Sequence, residues 1–136
     1  MEKYIVKIVN IENNIESEIT IFADEAETSD NIILKSDIKG KEIFITDYNY
    51  FSAYQKFRDK LLIMNYGIKC KGSQLNALQS GMTGACNKIY LVNSGQKALS
   101  ENIVCIFEYS DIKNFPDTKA QNDFSEKWFA SVKEVN

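Results

Sequence analysis

The hydrophobic period of this chain changes at Asp47. Before it, residues 17–23 (SEITIFA) place Ile19, Ile21 and Ala23 on one side and Glu18, Thr20 and Phe22 on the other. That alternation is the mark of a half-buried strand. After it, Tyr50, Tyr54, Phe57, Leu61 and Met64 recur at helical spacing, with Phe51 and Leu62 widening the stripe. A chain that carries both periods must pack a helix against a sheet.

Taken in order, residues 3–9 (KYIVKIV) are β-branched and aromatic and read as a strand. Asn13-Asn14 is a turn signal, so this strand and residues 17–23 form a hairpin. Asp24 to Asp30 is a polar loop or a single helical turn. Residues 31–36 and 41–46 are apolar runs on either side of Asp37-Ile38-Lys39-Gly40, a second hairpin in which Gly40 supplies positive φ. Asp47 is the expected N-cap of a helix over about Tyr50–Asn65, because its carboxylate can accept orphan amide hydrogens. Gln55, Lys56, Asp59 and Lys60 lie on its polar side, and Gly67 is its expected C′ residue.

Ile68-Lys69-Cys70-Lys71 reads as a short strand with its lysines outward. Gln74 to Gln79 fits a helical turn through Leu75 and Leu78 but contains Asn76, a weak helix former. Lys88 to Asn93 is a strand. Ile103 to Phe107 (IVCIF) is the purest apolar run and the expected central strand, buried on both faces. Thr118 with Gln121 is a capping-box pattern opening a terminal helix whose inner face holds Phe124, Trp128 and Val135. The expected class is α+β in one domain, 1–136: a mixed, largely antiparallel sheet carrying one central and one C-terminal helix. A chain of this length buries about two thirds of its unfolded surface, enough for one core.

Much of the wanted chemistry is missing. The chain has no histidine, which removes the usual general base and the commonest zinc ligand. Cys70, Cys86 and Cys105 have no C-x-x-C spacing, so no metal and no cofactor is expected. Cys105 reads as a small buried hydrophobe inside IVCIF, and Cys86, beside Lys88, as either packed or exposed. Gly81-Met82-Thr83-Gly84 matches no nucleotide-binding loop; it suits a tight turn or a short anion-binding nest. Bases near Tyr54, Phe57 and Tyr66 imitate a nucleic-acid binder, but those aromatics belong to the apolar stripe. No direct nucleic-acid contact is expected.

Charge is unevenly spread. The net charge is −3, yet residues 1–30 carry eight acids against Lys3 and Lys7, while residues 31–71 carry eight bases against four acids. The first residues lack the apolar core of a signal peptide, and no run approaches the roughly 20 apolar residues of a membrane span. A cytoplasmic location without membrane attachment is the expectation.

The second half resembles small bacterial immunity proteins encoded beside polymorphic toxins, including contact-dependent growth inhibition systems. The residues that carry the resemblance are Leu61-Leu62, Cys70-x-Gly72-Ser73, Gln79-Ser80-Gly81-Met82, Lys88-x-Tyr90, Ile103-Val104-x-Ile106-Phe107 and Gln121…Trp128. It implies a stoichiometric inhibitor, not an enzyme, that binds a cognate toxin domain and covers its active site. Many such toxins are nucleases with basic channels, which an acidic patch can imitate. Glu16, Glu18, Asp24, Glu25, Glu27 and Asp30 are the candidate patch, with Met82 of the Ser80–Lys88 loop as a second candidate contact. Other readings are a ligand-binding protein or enzyme using Gly67–Gly95 as a pocket wall, and a structural subunit with an exposed apolar patch.

Overall fold

A computed structural model describes residues 1–79 and 86–135, with the side chains of Glu134 and Val135 left aside. The fold is α+β. Strands β1 (Glu2–Asn10), β2 (Glu16–Glu25), β3 (Ile32–Ile38), β4 (Lys41–Asp47) and β5 (Tyr66–Ile68) form a curled sheet in the order β4-β3-β2-β1-β5. Strands β6 (Ala77–Leu78), β7 (Lys88–Leu91) and β8 (Ile103–Cys105) form a second, smaller sheet. Every strand pair among the described residues is antiparallel.

Both expected hairpins are present. Lys39 and Gly40 have φ of 51° and 83°, the double positive φ of a tight turn between β3 and β4. The period-2 pattern sorts the sheet into two faces. Val6, Ile8, Ile19, Ile21, Ala23, Leu34, Ile43 and Ile45 point inward and are buried. Helix α1 (Tyr50–Ile63) lies on that face against β3, β4 and β5, sealing it with Phe51, Tyr54, Phe57 and Leu61. Ile89, Ile106 and Phe107, from the part of the chain that forms the small sheet, join the same buried cluster. Helix α2 (Thr118–Val135) rests on α1 and β6, with Trp128 buried.

Several expectations are corrected. The N-cap of α1 is Asn49, whose Oδ1 accepts the Ser52 amide at 2.8 Å. Asp47 instead ends β4 and pairs with Lys56 at 3.1 Å. The chain leaves α1 through Asn65 at φ 69°, asparagine being the other residue that tolerates the left-handed region. Gly67 sits in β5, where the Phe115 ring occupies the space a side chain would need. Lys69 is buried, not outward. The run IVCIF is not a central strand: β8 is an edge of the small sheet and only half-buried, Cys105 included, and burial begins at Ile106. Asp117 caps α2, its Oδ1 accepting from Ala120 N–H at 2.9 Å. Gln121 makes no capping box; its side chain turns into the core.

Candidate functional site

The antiparallel register decides where the acids go. Glu2 stands opposite Ala23, Glu25 opposite Ile32, and Ile32 opposite Asp47. The start of β1, the end of β2 and the end of β4 therefore meet at one end of the large sheet. Asp24 and Glu25 are exposed there, and Glu27 and Asp30 are exposed on the loop that follows. The first turn of α1 arrives at the same end. Burial, then the carboxylates of Glu2, Glu25 and Asp24, push the Tyr50 phenol above its ordinary pKa. A phenolate would be repelled by those carboxylates, so Tyr50 stays neutral. Nearby, the Tyr4 hydroxyl donates to Glu2 and accepts from Asn87 Nδ2 at 2.7 Å. Its ring stacks on Phe107 with centroids 4.2 Å apart. Burial and the Glu2 hydrogen bond raise the Tyr4 pKa as well.

The expected patch is thus divided. At about 3.4 Å per residue, Glu16 lies roughly 30 Å along β2 from Glu25. Glu16 is also already used: Lys69 Nζ reaches its Oε1 at 2.6 Å and Asp111 Oδ1 at 2.9 Å. Asp111 in turn meets Lys113 at 3.0 Å. Glu18 is in register with Lys7 across the hairpin. Of the six candidate acids, Asp24, Glu25, Glu27 and Asp30 share one end, while Glu16 and Glu18 belong to the other. Glu2 completes the acidic end and was missed. The signal was available, because a hairpin turning close to Asn13-Asn14 sets residue 2 beside the end of the second strand. Met82 lies outside the described residues, as do Ser80, Gly81, Thr83 and Gly84.

Part of the Gly67–Gly95 segment does line concave surface. Gln74, Leu75 and Asn76 form one side of an open groove of about 590 Å³, with Ile112, Phe115 and Pro116 opposite. A second cleft of about 180 Å³ is lined by Ser52, Gln55, Leu78, Gln121 and Ser125 among others. Amides and hydroxyls supply their polar surface, and among the described residues Lys113 is the one charged residue in either lining. Such walls can bind through hydrogen bonds and apolar contact but bring no acid–base pair to a bound molecule. Cys70 is fully buried, its Sγ 3.0 Å from the Tyr54 hydroxyl, and burial raises its pKa. A thiol so placed is structural. Cys86 is exposed. Among the described residues, no three Cys, Asp or Glu side chains are grouped to hold a metal, and no helix is long and apolar enough to cross a membrane.

No known family model matches the sequence, and neither does any curated protein.

Proposed function

We propose that this chain is a stoichiometric protein inhibitor, an immunity protein that binds and blocks a cognate bacterial toxin domain, and that the toxin is a nuclease. The observation that carries the reading is the convergence of Glu2, Asp24 and Glu25 beside Tyr50, extended by Glu27 and Asp30 on the adjoining loop. Lys56, the base closest in sequence to Tyr50, is held by Asp47. A nuclease channel must present positive charge to phosphate, and an acidic surface on a rigid sheet end complements it and speeds the encounter. Binding takes place in the cytoplasm of the producing cell, without nucleic acid or membrane as a direct partner. Tyr48, exposed beside the acidic end, is the aromatic anchor such an interface favours.

Co-expression with candidate nuclease toxin domains, scored for rescue of growth, tests the proposal. Growth is restored by the wild-type chain and lost with Asp24→Lys/Glu25→Lys/Glu27→Lys, while Glu16→Lys leaves rescue intact. Rescue by the triple variant sends the contact to the Ser80–Lys88 loop, where Met82→Glu then abolishes it.

A second reading has its own observation, the groove walled by Gln74–Asn76. It makes the chain a small-ligand binder or enzyme. Leu75→Trp, which fills the groove from an exposed position, leaves toxin neutralisation unchanged if the first reading holds.

A further inference from the structure

Among the described residues, no strand pairs with the outer edge of β4 in the large sheet. The opposite edge is covered: beyond β5, Lys71 N–H donates to Glu108 and Ser110 N–H to Lys69, and Cys70 bridges Tyr109. Along β4 the tight turn at Lys39-Gly40 fixes which backbone groups are used. Its closing pair is Ile38–Lys41, and that pair exchanges hydrogen bonds in a turn with two positive φ values. Lys41, Ile43, Ile45 and Asp47 therefore face β3, and Glu42, Phe44 and Thr46 aim N–H and C=O away from it. No hydrogen bond among the described residues, outside the sheet ladder, involves those three.

The side chains add a second observation. On the outer face Lys3, Phe22, Lys35 and Phe44 stand side by side across four strands. Lys3 Nζ lies 5.6 Å from the Phe22 ring centroid, and Lys35 Nζ lies 5.6 Å from that of Phe44. The row ends at Phe44, which is 49% exposed.

The β4 sequence, Lys41-Glu42-Ile43-Phe44-Ile45-Thr46-Asp47, is complementary to itself when turned end for end about Phe44. Lys41 then meets Asp47, Ile43 meets Ile45, and Phe44 meets Phe44. Each residue meets one of the same face. The outward-aimed groups of Glu42, Phe44 and Thr46 form about six backbone hydrogen bonds. A shift by two residues loses this match: Ile43 would face Asp47, or Lys41 would face Ile45. We propose that β4 of one chain pairs antiparallel with β4 of a second copy, about a two-fold axis at Phe44, joining two five-stranded sheets into one. The contact is isologous and closed, so it stops at a dimer. Its occupant is a second copy because the strand matches itself only end for end, with Phe44 on Phe44, Ile43 on Ile45 and Lys41 beside Asp47, the acid that also holds Lys56.

The proposal is independent of toxin binding and is tested on the full chain alone. In sedimentation equilibrium at about 200 µM the chain has twice its 15.6 kDa mass. Thr46→Pro removes one outward donor and leaves the β3 pairing alone; it is monomeric with an unchanged circular dichroism spectrum. Lys41→Asp sets like charges opposite and weakens the dimer at least about ten-fold. A monomer at that concentration overturns the proposal. So does a dimer that Thr46→Pro and Lys41→Asp leave intact, since its contact is elsewhere.

Discussion

Arg58 Nη2 on α1 donates to Gln121 Oε1 on α2 at 2.7 Å, inside the core. Arg58 is 1% exposed and Gln121 also 1%. Gln55 Nε2 shares the same acceptor at 3.1 Å, and Gln121 Nε2 donates to the carbonyls of Gly72 and Gln74 at 2.9 and 2.8 Å. Arg58 Nε reaches Asp59 at 2.9 Å, and Asp59 accepts the Thr118 amide at 3.1 Å. One amide side chain thus fastens both helices to the segment between the two sheets.

Removing that amide leaves buried donors and acceptors unpaired. Gln121→Ala takes the buried Oε1 acceptor from Arg58 Nη2, which keeps only Thr118 Oγ1, and leaves two carbonyls without their donor, at a cost of about 1–3 kcal/mol. Arg58→Met/Gln121→Leu, which replaces both partners by apolar groups, costs less than Gln121→Ala alone. Urea unfolding of the three proteins checks the order.

The Lys69 cluster sets an acid limb. Lys69 and Lys113 hold the Asp111 carboxyl well below the usual carboxylate range, and the Lys69 hydrogen bond lowers Glu16. Depressed carboxylates stabilise the fold above their unfolded pKa of about 4, and that stability is lost as pH falls through the folded values. Wild-type chain therefore loses stability steadily below about pH 4. Lys69→Met, which frees Glu16 and leaves Asp111 only Lys113, shows a flatter acid limb. Urea midpoints measured from pH 2 to 6 distinguish the two.

Gly67 is required by packing. A methyl group there runs into the Phe115 ring. Gly67→Ala costs about 1–3 kcal/mol, and Gly67→Ala/Phe115→Ala costs less than the two single changes summed. Thermal melts of the set measure the coupling.

The cap of α1 is a smaller term. Asn49→Ala removes the acceptor of the Ser52 amide and costs about 1 kcal/mol. Asp47→Ala, losing a pair whose lysine is 61% exposed, costs less than about 0.5 kcal/mol. Denaturant midpoints rank them.

What could be read from sequence was what local periodicity decides. Both hairpins and the faces of β2 and α1 follow from residues within a few positions of one another. Burial of Arg58, Gln55, Gln121 and Lys69 does not, because each is tolerated in the core by partners far along the chain; Gln121 lies 63 residues from Arg58. The apolar run 103–107 misled for a related reason. Composition marks it as buried, but its burial comes from Ile106 and Phe107 after the strand has ended. Asp47 and Asn49 are both good caps two residues apart, and the choice fell to the one outside β4. The acidic end was half legible: the acids were visible, but grouping them required the register that brings Glu2 in and takes Glu16 out.

Calorimetric titration against a nuclease toxin domain whose toxicity the chain suppresses, at low and high salt, tests the central claim. We expect one chain per toxin, an affinity that falls as salt rises, and at least a ten-fold loss, about 1.4 kcal/mol, on Asp24→Lys/Glu25→Lys/Glu27→Lys, with a weaker salt dependence. Equal affinity and equal salt dependence for the wild type and the triple variant would contradict it.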